Sequence, residues 1–456
     1  MENRDYHTIT MYESDYDSDS SIPYINRTRE STNTTHVNLM QKCLIEIRRQ
    51  GLRSTTSRDS VCVYRVPPSL TRIDHRAIEP EIVSIGPYHR GKVEVSQFES
   101  YKWQFLDALL CRAANNGVDL QHIMQEMEGL ERKARRCYLE PIPMSNENFV
   151  EMMVLDGCFV IELLQQVCGN EDPVNLKSPI VMKPWLIPIL IRDLLKLENQ
   201  LPFFVLQRLF HLSISTGDSL SLLALKFFNL ALPRSLESLK RATVSEAMTL
   251  LDLFHSSSLP SNISQGSQNE YRPFSDQTLP CVTQLRPAGI KFRPHRSTDN
   301  FLNISFCKGE LKIPPTTIND VTSTIFVNCA ALEQCRAQHI PTCFSAYIAF
   351  MSCLINSARD VSFLCDDGII TGFSHHDQRI SQLFKELGEN IVFNVRECYL
   401  SKEFGEVEAY YSSNWSALRR TYFSNPWSII SLVSASVLLA LTAIQTIMAI
   451  VSYNGK

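Results

Sequence analysis

Apolar residues recur at helical spacing through most of this chain. From Val37, one face carries Met40, Cys43, Leu44 and Ile47, while Gln41, Lys42, Arg48 and Arg49 lie elsewhere, which predicts a first helix. Ser96 to Leu110, "SQFESYKWQFLDALL", opens on a capping pair, Ser96 and Glu99, and predicts an amphipathic helix starting near Ser96. A longer helix is predicted from Asn146 to about Val167, with Val150, Met153, Val154, Gly157, Cys158, Ile161 and Leu164 on one stripe. The run "PWLIPILIRDLLKLENQLPFFVLQRLF" predicts two helices, the second opening at Pro202, with Glu198, Asn199 and Gln200 at the junction. Further helices fit Ser219 to Ala231, Ser235 to Phe254, and much of Thr324 to Glu408.

Period-two patterning is confined to short stretches. "SVCVYRVPPSL" predicts a strand ended by Pro67 and Pro68, and "EIVSI" has the apolar character of another. "QLRPAGIKFRP" and "FLNISFCKGELKIPPTTI" alternate apolar with polar and contain a Lys-Gly turn, which predicts a small antiparallel sheet. The fold class expected is therefore mainly α with a small antiparallel β-sheet (α+β).

The end of the chain has a different pattern. Ser428 to Val451, "SIISLVSASVLLALTAIQTIMAIV", carries no charge and at about 1.5 Å per residue is long enough to cross a ~30 Å hydrocarbon core. Apolar or small residues occupy every face, so a transmembrane helix over 427–453 is expected, followed by a short tail, 454–456. Pro426 suits the first helical position, and Tyr422, Trp427 and Tyr453 suit the two interfaces. Within the span, Ser431, Ala435, Thr442, Thr446 and Ala449 fall along one face beside Gln445, with Val451 closing the run. That stripe permits close helix contact and makes self-association a candidate property. Few residues follow the span, so post-translational, tail-anchored insertion is expected. Arg419 and Arg420 before the span, against Lys456 after it, favour a cytosolic bulk.

Before the anchor, residues 1–36 are polar and acidic and are expected to be a disordered tail. Residues 37–410 form the expected helical globular domain, with a flexible loop at 256–278 and a juxtamembrane segment at 411–426. "DYDSDS" begins like a calcium loop but lacks the central Gly and the closing Glu.

Composition narrows the function classes. A net charge of -4 with 44% apolar residues is ordinary for a globular chain and gives no field that points to nucleic acid. The 14 cysteines are scattered through apolar stretches without any C-x-x-C pair, which predicts reduced core thiols in place of a disulfide framework or zinc ribbon. N-x-S/T sequons at Asn26, Asn33, Asn262, Asn303 and Asn414 would matter only for a lumenal bulk.

One stretch has the outline of chemistry. In "SIGPYHRGKV", Gly86, Gly91 and Lys92 stand at the spacing of a phosphate-binding loop. However, Val93 replaces the magnesium-binding hydroxyl, Pro87 lacks an amide, and Tyr88, His89 and Arg90 fill the loop. "MMVLD" resembles a magnesium-binding strand end, but the helical spacing around it puts Asp156 inside a helix. The turn is therefore read as structural, with His89, Arg90 and Lys92 kept as candidate surface contacts, or as the first cluster to test were the protein an enzyme. His375, His376 and Asp377 beside Asp366 and Asp367 read as a solvated loop, and Cys335, His339 and Cys343 as core thiols with a helix-end His. No catalytic set, cofactor site or metal site is expected.

The phrases "YRVPPSL", "EIVSIGPYHRGK", "MMVLDGCFVIELL", "LLKLENQLPFF", "TQLRPAGIKF", "LKIPPTTI", "ALEQC" and "YFSNPWSIISL" occur in this order, within a match that covers roughly Val37 to Tyr453. Together they resemble the plant protein family called domain of unknown function 247. Arg90 stands where that family usually shows a second His. The resemblance implies a plant protein with one C-terminal transmembrane segment and no established activity. In some members it implies a link to pollen–stigma self-recognition or other recognition and signalling. The expectation is a membrane-anchored, non-enzymatic module that binds an unidentified protein. An extracellular recognition domain of inverted topology is the other reading of the anchor.

Overall fold

The computed structural model describes Met40 and residues 61–169, 183–214, 217–242, 247–260, 279–296, 300–337, 339–372, 377–392, 394–395, 398–413 and 426–454. The predicted tail, all of the first helix except Met40, His375, His376, and most of the 256–278 loop and the juxtamembrane segment lie outside these residues.

Helices dominate. Apart from the four-residue helical turns Pro68–Thr71 and Val282–Leu285, in chain order they are α1 (Val93–Ala113), α2 (Leu120–Arg135), α3 (Asn146–Cys168), α4 (Leu186–Leu194), α5 (Phe203–Ser213), α6 (Leu220–Asn229), α7 (Leu236–Ala242) and α8 (Leu250–Ser257). After the strands come α9 (Asp320–Cys335), α10 (Cys343–Leu354), α11 (Ala358–Asp366), α12 (Asp377–Asn390), α13 (Ser401–Ser412) and α14 (Pro426–Asn454). The strands are β1 (Lys291–Pro294), β2 (Ser305–Cys307), β3 (Glu310–Ile313), β4 (Thr316–Thr317) and β5 (Ile370–Thr371).

The core forms around two helices that are apolar on nearly every face. From Met152 to Leu164, every side chain of α3 is buried, as expected of a helix enclosed by others. Ser145 caps it by accepting from the amide of Asn148, and α1, α2, α5 and α6 pack around it. Gly157 allows the closest of these approaches, since a Cβ there would lie 2.3 Å from Leu209 Cδ1 on α5. The second is α9, capped by Asn319, buried from Thr322 to Glu333 and enclosed by α4, α8 and α10. Asn328 on α9 accepts from the amide of Leu197 at 2.8 Å and donates to the carbonyl of Ala77 at 2.7 Å, tying this helix to the chain that flanks α4.

Several boundaries differ from expectation for identifiable reasons. Helix α1 starts at Val93, not near Ser96: Gly91 at φ +85° turns the chain, Lys92 becomes the N-cap, and the Ser96 hydroxyl donates back to the carbonyl of Val93. Ser235 to Phe254 divides into α7 and α8. "SVCVYRVPPSL" makes a single parallel bridge, Val63 with Tyr138, and "EIVSI" forms no strand because side chains take its amides. The three-stranded sheet is mixed: β2 pairs with β3 antiparallel through the Lys308–Gly309 turn, both residues at positive φ, but β1 pairs with β3 parallel. A second pair, β4 with β5, is also parallel.

Candidate functional site

The turn 84–92 passes over the N-terminal half of α1, over α3 and beside the link between α4 and α5. Lys102 lies on the buried face of α1, among Phe98, Phe105 and Leu109, and is fully buried. Its ammonium donates at 2.6 Å to each of three acceptors: the Ser84 carbonyl, Glu99 Oε1 and Asp156 Oδ1. Asp156, on α3 as its spacing requires, accepts the amide of Gly86 at 2.8 Å through its other oxygen. Burial pushes the Asp156 carboxyl above its ordinary range, and the Lys102 charge pulls against that shift.

Gly86 is required twice over. Its φ is +78°, and an added Cβ would stand 2.5 Å from the carbonyl oxygen of Gln200.

The preceding residues are held in the same way. Asp193, at the end of α4, accepts the amides of Glu81, Ile82 and Val83 at 2.9 to 3.0 Å and pairs with buried Lys196. Asn199 accepts the amide of Ile85 at 2.6 Å and donates to the carbonyl of Val83. Gln200 donates to the carbonyls of Leu194 and Lys196 and accepts from the amide of Leu251. In a segment with no regular structure, five amides between Glu81 and Gly86 are thus taken by three side chains, Asp193, Asn199 and Asp156, which replace a strand partner.

Glu198 completes this region. It accepts Arg65 Nη1 and the amide of Val66, both at 2.8 Å, and His89 Nε2 lies 3.5 Å away. Burial would raise its carboxyl, but nearby His89, the Val66 amide and Arg65 outweigh burial and bring it down to about 2.

His89, expected on the surface, is 1% exposed, so it is not a surface contact. Arg90 is partly covered and lies 3.6 to 3.8 Å from Glu99, Glu151 and Asp156. Lys92 is half-exposed and pairs with Glu79 at 2.8 Å. The cation and the Gly86 amide that a phosphate would need are already paired, Lys92 with Glu79 and Gly86 with Asp156. The loop-like turn and the Asp156 of "MMVLD" do meet in space, with the Gly86 amide donating to the Asp156 carboxylate.

Lys102, Asp193, Lys196 and the roles of Glu198, Asn199 and Gln200 were not predicted. The available signals were a lysine at a core position of α1 and a polar cluster between two apolar helices.

Residues 63–441 match the model of a family described as plant protein of unknown function, domain of unknown function 247. The chain belongs to this family. It is similar to UPF0481 protein At3g47200 of Arabidopsis thaliana, 32% identical over 89% of this chain and 90% of that one. It is also similar to putative UPF0481 protein At3g02645 of the same plant, 22% identical over 90% and 93% respectively. No solved structure matches. Three phrases that carried the family resemblance, around Gly86, Asp156 and Glu198, are the parts of the buried network.

The other sequence-predicted positions are dispersed. Cys335 bonds to the carbonyl of Arg65, His339 is exposed in a turn, and Cys343 begins α10; among the described residues no cluster fits a metal. Asp377 begins α12. On α14, Ser431, Ala435, Thr442, Gln445, Thr446 and Ala449 are all exposed, while the side chains of Trp427 and Val451 are outside the described ones. Thr442 and Thr446 donate to the carbonyls of Leu438 and Thr442 at 2.7 and 2.8 Å, so their hydroxyls are satisfied within the helix.

A cleft of about 230 Å³ is floored by Ile82, Phe98 and Leu186 and rimmed by Tyr101, Trp185, Glu81, Glu94 and Lys183. Trp185 is 63% exposed, an unusual placement for an indole.

Proposed function

We propose that this chain is a single-pass, membrane-anchored protein-interaction module of recognition or signalling, with no catalytic centre of its own and with its globular bulk on the cytosolic side. The observation that carries the anchor is the state of α14. Its Val433–Ile450 window has a mean hydropathy of 2.0 and is 0% buried. A core helix of the same composition would be covered by protein. Leaving apolar side chains such as Leu438, Leu439 and Met448 in water would forfeit about 1.5–3 kcal/mol each, and lipid removes that cost. The Arg419–Arg420 pair before the helix supports the orientation.

The non-enzymatic reading is supported by how the buried ionisable groups are used. Lys102, Asp156, Asp193, Lys196 and Glu198 bond to backbone or to each other, which fixes chain path and leaves no activated nucleophile or poised acid–base pair among them. The aromatic-rimmed cleft has the composition of a protein contact, where Trp and Tyr act as anchors. Full-length protein in sealed microsomes tests the reading. Alkaline carbonate should leave it in the membrane fraction, and added protease should digest the bulk without detergent. Release by carbonate would remove the anchor. A glycosidase-sensitive mass shift at Asn262 or Asn303 would reverse the topology. Turnover of a nucleotide or ester by the purified protein, lost on a single side-chain change, would end the non-enzymatic reading.

A further inference from the structure

We propose that Cys62 and Cys137 form an oxidisable dithiol that closes into a disulfide, a modification site that fastens residues 61–66 to the turn after α2. The bridge between Val63 and Tyr138 is parallel, held by the amide of Val63 to the carbonyl of Cys137 at 2.9 Å and the amide of Leu139 to the carbonyl of Val63 at 3.1 Å. Cys62 and Cys137 each precede a bridge partner by one residue, and the amide of Cys62 also donates to the carbonyl of Cys137 at 2.9 Å. The residues one step before each partner of a parallel bridge stand side by side, which sets Cys62 and Cys137 on segments about 4.8 Å apart. That spacing falls in the range of roughly 4.4–6.8 Å between Cα atoms that a disulfide spans without backbone movement.

Each thiol now bonds weakly to backbone, Cys62 to the carbonyl of Met248 at 3.8 Å and Cys137 to the carbonyl of Lys133 at 3.4 Å, and closure exchanges those S–H bonds for the S–S bond. The neighbouring Cys62 thiol, with Lys133, holds the Cys137 thiol below its usual range against the opposing effect of burial, and Cys137 together with burial raises the Cys62 thiol. The order of reaction follows. The Cys137 thiolate attacks hydrogen peroxide, forming a sulfenic acid and releasing hydroxide. The Cys62 sulfur then displaces the sulfenic oxygen, which leaves as water once the Cys62 proton is transferred. Two thiols and one peroxide become one disulfide and two waters. Both cysteines are buried, at 3% and 4% exposure, which admits a small oxidant and excludes a bulky disulfide reagent. Exposed Cys111 on α1 is the internal contrast.

The fastening would reinforce contacts that already hold this strap: Arg65 to Glu140 at 3.1 Å, three residues beyond Cys137, and Arg65 to Glu198. The test uses the full-length chain, reduced in detergent micelles, freed of reductant, treated with hydrogen peroxide below its melting temperature and then alkylated. Peptide mass spectrometry should find the Cys62 peptide joined to the Cys137 peptide, two hydrogens lighter than the pair, and more abundant than any other cysteine pairing. Cys137→Ser should abolish the link and leave Cys62 alkylated, Cys111→Ser should leave the link intact, and the oxidised wild type should melt higher than the reduced one. The proposal is overturned if both thiols are alkylated separately in the folded wild type, if each over-oxidises alone, or if the link forms only above the melting temperature. None of these readings of the wild type depends on a variant folding.

Discussion

Replacing Lys102 with Met puts the buried network to its sharpest test. The substitution keeps most of the side-chain volume and removes one charge from a site where Asp156 is fully buried. Asp156 would then keep the Gly86 amide and an Arg90 guanidinium 3.8 Å away, too long for a hydrogen bond. Removing one partner of a buried ion pair typically costs about 3–5 kcal/mol. Asp156 can escape by taking up a proton, and that sets a ceiling: neutralising a carboxyl of ordinary pKa near 3.9 costs about 4 kcal/mol at pH 7 but only about 1.5 kcal/mol at pH 5. The sign follows from linkage. A carboxyl whose folded pKa is raised stabilises the fold below its unfolded value and loses that contribution as pH rises through the folded value. Without Lys102 the folded value rises further, so the variant's deficit should grow from about 1.5 kcal/mol at pH 5 to about 4 kcal/mol at pH 7. Urea unfolding of the full-length protein in micelles, followed by Trp fluorescence, measures it, and the pair K102M/D156N should recover most of the loss. A deficit under about 1 kcal/mol at pH 7, or one that does not change with pH, would refute the assignment of Lys102 as the counter-charge.

The remaining predictions are briefer. Gly86→Ala should cost more than Gly91→Ala in melting temperature. Both take a left-handed penalty of about 1–2 kcal/mol, but only at Gly86 would the methyl meet a carbonyl, 2.5 Å away. Equal losses would show that the Gln200 contact is relieved by a small shift. Because its folded pKa is lowered to about 2, Glu198 contributes stability that is present above its ordinary value and lost as pH falls through about 2. Glu198→Gln should therefore flatten the acid limb of the stability profile there, and an unchanged limb would contradict the assignment. If the small-residue stripe of α14 drives self-association, Ala435→Leu with Ala449→Leu should weaken dimerisation about tenfold in a membrane two-hybrid reporter, a loss of roughly 1.4 kcal/mol. An unchanged signal would leave α14 as an anchor alone.

Local signals were read well where local physics decides the outcome. Asn146 and the stripe behind it placed α3 within a residue at its end, Pro202 marked the entry to α5, and the Lys308–Gly309 turn was visible as a dipeptide. The start of α1 was missed because a plausible capping pair, Ser96 with Glu99, competed with a glycine turn whose effect depends on φ. The turn's place in the fold was missed for a different reason: Asp193 and the amide of Val83 are 110 residues apart, and nothing periodic links them.

By itself, then, the sequence determined the elements whose information is contained in a few turns of chain: apolar α3, the mixed helical and short-strand pattern, and a charge-free C-terminal helix. Hydrophobic period, caps and turn residues act over distances the chain spans locally. Only the tertiary structure decided that β1 runs parallel to β3, that His89 is interior, and that Lys102, Asp156, Asp193 and Asn199 serve as the hydrogen-bond partners of a buried, irregular segment. The physical reason is that a buried amide must be satisfied by some acceptor, but only the folded path of the chain determines which one is within 3 Å.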